Sequence, residues 1–347
     1  MTDLFDVTII GGGPAGLYAA FYSGLRSMKT KLIECQPELG GKLLLYPEKM
    51  IWDVGGHPPV LGAVLARQLV QQALTFDPVI LLNTKAERID KDGENHFVIT
   101  THDGQQHRSK SVIMAIGGGI IRPKRLEIEG AEQFEGTSLH YTMPSLQTFR
   151  NKTVLISGGG NTAVDWAVEL LDIARQVIVV CRKDVLSAHE AQADRLQNSG
   201  AVLLLNSEIE QLTAGRNPAS VSQAVVKNRL TGERRLLDVD HVIVNHGYLR
   251  DDALQFAGGL ELAKKDDFYY EGTPTGRTSC PGIFAAGDIL TYEGKVNLIL
   301  GAFQDAVNAV NSAKAYIDPA AEKWEMVSSH HEKFKERNRA LIRQMMQ

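Results

Sequence analysis

Three glycine-rich turns hold the residues of this chain that could do chemistry. The first reads Gly11-Gly12-Gly13-Pro14-Ala15-Gly16, between the apolar strand Asp6-Val7-Thr8-Ile9-Ile10 and a helix-like run from Leu17 to about Leu25. In a strand–turn–helix of this kind, Gly11 permits the tight turn, Gly13 lets the backbone approach a pyrophosphate, and Gly16 lets the helix pack on the strand. The free N–H groups of the first helical turn, which Pro14 and Ala15 open, and the positive end of the helix dipole would meet the phosphates. A second strand, Thr30 to Ile33, ends at Glu34, 23 residues after Gly11, where a carboxylate can bond the ribose hydroxyls of an adenosine. A purely structural turn is the competing reading, opposed by the flanking strand, the helix and the terminal acid.

The second turn repeats the device. Strand Thr153 to Ile156 runs into Ser157-Gly158-Gly159-Gly160-Asn161-Thr162-Ala163, a helix-like run from Val164 to about Ile173 follows, and strand Val177 to Val180 ends at Cys181-Arg182-Lys183. Alanine replaces the closing glycine. No acid stands at the ribose position, and two cations do, which favours a 2′-phosphate through charge-assisted hydrogen bonds. NADP(H) is therefore expected over NAD(H), with a solvated basic strand end as the alternative. The third turn, Phe284-Ala285-Ala286-Gly287-Asp288, places an acid just after a buried strand. Asp288 can accept bonds from hydroxyls such as those of a ribityl chain. Taken alone, this motif reads better as an ordinary turn aspartate.

The elements around these turns describe an α/β protein with two βαβ units. Strands are also expected near Phe97 to Thr101, Ser111 to Ile116, Val202 to Leu205, Val221 to Lys227 and His241 to Asn245. A long helix is expected from about Gly301 to Tyr316, and a terminal helix from Glu332 to Met346. The hinges fall at Gly117 to Pro123 and Asn245 to Asp252. Residues 1–116 and 248–347 would form an outer domain and 120–245 an inner one, inserted into it. At 347 residues, two domains are the prior.

The composition, 44% hydrophobic and 22% charged, is that of a soluble globular protein. A net charge of −4 argues against nucleic acid as a general partner and leaves room for a local basic patch facing an acidic protein. The N-terminus MTDLFDVTII carries acids and no cationic run, so it reads as a cytoplasmic strand rather than a signal peptide. No apolar run reaches the length of a membrane span. The three cysteines, Cys35, Cys181 and Cys280, are isolated in sequence, which leaves neither a CxxC nor a zinc spacing, and no metal is expected. His57, His140, His189 and His246 are read as structural.

The order of the three motifs resembles the two-dinucleotide flavoprotein reductases, and among them the thioredoxin-reductase-like group. The residues that carry the likeness are Ile9 to Gly16, Gly40-Gly41-Lys42, Gly158 to Asp165 and Ala285 to Asp288, and the resemblance spans nearly the whole chain. Thioredoxin reductases carry a redox-active CxxC just before the second βαβ unit. Here that segment is Leu139-His140-Tyr141-Thr142-Met143-Pro144-Ser145, without the two sulfurs that dithiol chemistry needs. The chain is more similar to the homodimeric, thioredoxin-reductase-like ferredoxin–NADP reductase family of bacteria. Leu45 to Lys49, Leu139 to Tyr141, Ala163 to Ala167, Val244 to Tyr248 and Asp288 to Ile299 support this, and the stretch from Pro319 matches the family's C-terminal extension.

The resemblance implies two Rossmann-like, three-layer domains, with the NADP domain inserted into the FAD domain. It implies hydride transfer from NADPH to flavin N5, then single-electron transfers to ferredoxin or flavodoxin. Gly11, Gly13, Pro14, Ala15, Gly16, Glu34, Gly41 and Asp288 would hold FAD. Lys42 belongs to the same set, at a position where many members have glutamine. Tyr46 would stack on one flavin face, Ala86 and Ile121 would touch the cofactor, and the positive end of the helix near Gly301 would face the flavin pyrimidine. The partner subunit's tail would cover the other face, with Ser328, Ser329 and His330 as candidates. Gly158, Gly160, Asn161, Thr162, Arg182 and Lys183 would bind NADP. The family's usual His-Arg-Arg, with another Arg four residues on, is here Cys181-Arg182-Lys183 with Ser187, which implies a weaker preference for NADPH. The inner domain would rotate at Gly117–Gly119. Other readings are a reductase for a disulfide protein or a quinone, and a slow flavin redox sensor.

Overall fold

The computed structural model describes residues 3–251, 254–323 and 328–346, without the side chains at 121–122, 249–251, 330, 333 and 336–337. The chain forms two compact units, Met1–Ile120 with Asp251–Gln347, and Ile121–Arg250. The two crossings are strands Ile120–Pro123 and Tyr248–Asp251, which pair with each other.

Among the described residues, the first unit is built on an eight-stranded sheet. Its centre is parallel: β1 (Leu4–Ile10) lies between β2 (Thr30–Ile33) and the strand Gln106–Met114, which also pairs with Ile283–Ala285. Both faces of this centre are covered, which is why its strands read as continuous apolar runs rather than alternating ones. Ile9, Leu32 and Ile113 point into a core shared with the helices α1 (Pro14–Leu25), Gly62–Ala73 and Ile299–Ile317. Their neighbours Ile10, Ile33, Val112 and Met114 point to the other face, into a core with Leu260, Phe268, Tyr270 and Leu290. The result is three layers: helices, sheet, and a small three-stranded sheet of Lys264–Lys265, Tyr269–Glu271 and Leu290–Thr291.

In the second unit, five parallel strands run in the order Leu139–His140, His241–Val244, Thr153–Ser157, Gln176–Val180, Val202–Leu204. Helix Asn161–Leu170 follows the central strand, and an antiparallel sheet of Ser207–Ala214, Val221–Asn228 and Arg234–Asp238 covers part of the core.

Some element ends differ from the sequence expectation. The helix after the second turn begins at Asn161 rather than Val164 and ends at Leu170, because the turn residues supply the first helical turn. The long helix near the C-terminus extends by two residues upstream and one downstream, to Ile299–Ile317, and the terminal helix is Lys335–Met345, preceded by a short 3-10 turn at Glu332–Phe334. Strand Gln106–Met114 starts before Ser111 and stops before Ile116. Helices Gly62–Ala73 and Glu190–Gln197 were not expected from the sequence, although the buried Leu65, Ala66, Leu69 and Ala73 give the first a helical period.

Candidate functional site

In each of the two units a glycine turn joins the central parallel strand to a helix N-terminus. The glycines divide into two kinds. At Gly11, which has φ of +109°, a Cβ would lie 2.3 Å from the Ala115 carbonyl oxygen, and at Gly16 it would lie 1.8 Å from that of Gly11. The protein's own packing demands glycine there. Gly13 is different: its φ of −77° is ordinary, and a Cβ would meet nothing closer than the Gly41 Cα at 3.7 Å. Gly160 repeats this, with φ of −89° and nothing within 4 Å of a Cβ. Neither fold nor backbone requires glycine at these two positions. The space each leaves open is on the N-terminal side of its helix, where unpaired N–H groups and the helix dipole favour an anion. Both turns fit a dinucleotide pyrophosphate.

Glu34 closes the first turn. One carboxylate oxygen accepts the Gly12 N–H at 2.6 Å and the other accepts the Gln36 N–H at 2.8 Å, with the side chain buried. The oxygen that accepts the Gly12 N–H keeps a second lone pair for a ribose hydroxyl. The neighbouring Cys35 thiol donates to Glu34 at 3.2 Å, and burial together with that carboxylate pushes its pKa up to about 12. This is an inert thiol, not a nucleophile.

Gly41, with φ of +57°, lies against the turn, and a Cβ there would be 2.7 Å from the Gly13 Cα. Lys42 and Asp288, both assigned to the flavin from the sequence, meet each other: Lys42 Nζ donates to Asp288 Oδ2 at 2.7 Å, both side chains being about half exposed. The Asp288 turn touches the first helix, since a Cβ on Gly287 (φ +75°) would stand 2.9 Å from Ala15 Cβ. Tyr46 is half-buried, with Lys49 Nζ 5.6 Å from its ring centre. Ala86 is buried at the start of strand Ala86–Lys91. The side chains of Ile121 and His330 lie outside the described residues. Ser328 and Ser329 are exposed in the short turn Ser328–His330. Next to that turn, His331 Nε2 lies 3.3 Å from the Leu25 carbonyl oxygen, and the His331 ring packs on Phe76 and Phe334. The tail is thus held at the C-terminal end of α1, a helix of 12 residues, so it is about 18 Å from the Gly13 end.

In the second unit the turn opens into a cleft of about 380 Å³, lined among others by Gly158–Ala163, Arg182, Lys183, Ser187 and Asn245–Tyr248. Arg182 and Lys183 are exposed at its edge, and Lys183 Nζ donates to Ser187 Oγ at 3.1 Å. Asn161 Oδ1 accepts the His189 N–H at 2.8 Å, and the Ser187 N–H donates to the Gly159 carbonyl at 2.7 Å, so the basic loop is tied to the glycine turn. Cys181 fills the space that a Cβ on Gly159 would need, 2.3 Å from its sulfur. His246, read from sequence as structural, lines the cleft with Nε2 2.8 Å from Ser157 Oγ. Burial, and then the charge of Arg182, hold its pKa below the usual histidine value, so it stays neutral at neutral pH. Asn245 Oδ1 in the same cleft is buried without a protein partner.

Residues 5–313 match the family described as pyridine nucleotide-disulphide oxidoreductase. A protein of Exiguobacterium sibiricum named ferredoxin–NADP reductase 2 is 56% identical over 344 residues, which is 99% of this chain and 98% of that one. A protein of Lysinibacillus sphaericus named ferredoxin–NADP reductase 3 is 54% identical over 342 residues, with the same coverage. Among solved structures, the thioredoxin reductase of Lactococcus lactis superposes with a TM-score of 0.70 at 26% identity, over 90% of this chain and 99% of that one. None of the helices described is long and apolar enough to cross a membrane. With two glycine turns of dinucleotide type and likeness along its whole length, the chain belongs to the pyridine nucleotide-disulphide oxidoreductase family.

Proposed function

We propose that this chain is an FAD-dependent ferredoxin–NADP reductase that works as a cytoplasmic homodimer, taking electrons from NADPH and passing them to ferredoxin or flavodoxin. The observation that carries the reading is the pair Gly13 and Gly160: two turns, one in each unit, leave open space where only a ligand needs a missing Cβ. The extensive identity to relatives named ferredoxin–NADP reductase supports the acceptor class. The cysteines support it too, since Cys35, Cys181 and Cys280 are free and two of them are buried, which leaves no dithiol to relay electrons to a disulfide.

In this reading the first turn and the start of α1 bind the FAD pyrophosphate, Glu34 accepts the adenosine ribose hydroxyls, and Lys42 and Asp288 hold the ribityl region. The Lys42–Asp288 pair keeps the carboxylate from repelling phosphate oxygens nearby. Bound FAD supplies the conversion of a two-electron donor into single electrons. Tyr46 offers a ring for one flavin face. The second turn, Asn161 and Thr162 bind the NADP pyrophosphate, and Arg182 and Lys183 hold the 2′-phosphate. Because the tail is fixed at the far end of α1, Ser329 and His330 would cover the flavin of a second copy rather than their own.

The test is NADPH-dependent reduction of cytochrome c by the purified yellow protein, with ferredoxin, flavodoxin or thioredoxin added. Ferredoxin or flavodoxin should accelerate it strongly and thioredoxin should not. Disulfide reduction of thioredoxin, or rates indifferent to ferredoxin and flavodoxin, would overturn the assignment.

A further inference from the structure

One carboxylate in the first unit is more deeply buried than the site described above needs. Asp305, in helix Ile299–Ile317, has no exposed surface. Its Oδ1 accepts the Tyr292 hydroxyl at 2.7 Å, and its Oδ2 accepts the Gly287 N–H at 3.1 Å. Oδ2 also pairs with Lys295 Nζ, whose side chain is 7% exposed. The three donors are spread along the one connection, including the short strand Leu290–Thr291, that leads from strand Ile283–Ala285 to helix Ile299–Ile317. The loop lies tight on the helix start as well, since a Cβ on Gly301 would stand 2.0 Å from the Val296 carbonyl oxygen. Burial and the Asp305 carboxylate push the Tyr292 hydroxyl up to about 12, so it remains a donor across the working pH range.

A buried ion pair is poor value as a source of stability, because apolar side chains of the same size usually do as well. What it does provide is direction. The Gly287 N–H needs an acceptor, and no apolar replacement supplies one. Gly287 precedes Asp288 and lies close to Ala15 of the first helical turn, with no room there for a Cβ, so a shift of this connection moves Asp288 and the N-terminus of helix Ile299–Ile317 together.

We infer that Asp305 is a positioning residue for FAD: through Gly287, Tyr292 and Lys295 it sets the place of Asp288 and of the following helix N-terminus, without itself touching the cofactor. This rests on the FAD reading of the first turn. The helix sequence holds a trace of it, a single acid among the buried alanines Ala302, Ala306, Ala309 and Ala313.

The experiment compares full-length wild type with Asp305→Asn, Tyr292→Phe and Lys295→Arg. It reads FAD dissociation by fluorescence, visible circular dichroism of the bound flavin, and melting with and without FAD. Asp305→Asn keeps the shape and loses the charge, and should weaken FAD about ten- to a hundredfold, the range for one buried charge-assisted bond. Its flavin dichroism should change and the melting gain from added FAD should shrink. Tyr292→Phe should show a smaller loss, and Lys295→Arg, which keeps the cation, should stay near wild type. If Asp305→Asn does not fold, Tyr292→Phe still reads the network from its rim. Wild-type affinity and dichroism in Asp305→Asn, or in Tyr292→Phe if that alone folds, would overturn the inference and leave the FAD reading intact. Failure of the wild type itself to bind FAD would overturn that reading, and this inference with it.

Discussion

Arg182→Ala should separate the two nicotinamide cofactors. Arg182 is exposed at the edge of the second-unit cleft, and its charge is felt at His246 on another wall of that cleft. NADPH and NADH differ there by one phosphate, so only NADPH loses a partner when the guanidinium goes. A hydrogen bond to a charged group contributes roughly 1.5–3 kcal/mol, and exposure puts this one toward the lower end, about tenfold in affinity. Lys183→Ala should cost less, because Nζ is already bonded to Ser187 Oγ and an ammonium holds a phosphate as a point charge rather than a fork. The assay is steady-state reduction of cytochrome c in the presence of ferredoxin, varying each cofactor at two ionic strengths. The KM for NADPH should rise about tenfold, that for NADH should stay unchanged, and the gap should narrow as salt screens the contact. Equal losses for the two cofactors would refute the reasoning and make Arg182 a structural or adenine-stacking residue.

Glu34→Gln keeps the size but leaves the Gly12 or the Gln36 N–H facing an amide nitrogen, so FAD affinity should fall by about tenfold or more in a fluorescence titration; unchanged affinity would remove Glu34 from the site. His140 Nε2 and His241 Nδ1 lie 3.1 Å apart, and burial, then His241, hold the His140 pKa down to about 4 from 6.5. The unfolded chain therefore takes up this proton first as pH falls. The stability contribution is complete above about 6.5 and declines by roughly 3 kcal/mol as pH drops to about 4. Melting curves between pH 7 and 4 should show it, and His140→Gln should flatten the slope; an equally steep slope in that variant would place the titration elsewhere. Replacing Cys35, Cys181 and Cys280 together by Ala should leave ferredoxin reduction essentially intact, and a collapse with FAD retained would expose a thiol step.

Much of the candidate site was legible because it is local. A glycine turn, the strand before it and the helix after it are neighbours in sequence, and the chemistry of binding a pyrophosphate there is a property of backbone N–H groups that any such turn presents. Glu34 belongs to the same βαβ unit, so its distance along the chain is set by one helix and one strand. The cations Arg182 and Lys183 were readable for the same reason. Helix Gly62–Ala73 carries a readable apolar period in Leu65, Ala66, Leu69 and Ala73 but no motif.

Tertiary structure alone decided the rest. The motif spacing already distinguishes Gly11 from Gly13, but the backbone a Cβ would strike at Gly11 and Gly158, and the room it would find at Gly13 and Gly160, come only from how distant strands and loops pack. Lys42 meets Asp288 across 246 residues, and Ser157 meets His246 across 89. The second contact follows from the parallel pairing of strands Thr153–Ser157 and His241–Val244, and the first joins two short 3-10 turns; in both, partners come from distant crossovers and no short-range pattern records the pairing. The tail is the same case: His331 finds Phe76 and the end of α1 only because the folded first unit puts that surface in its path.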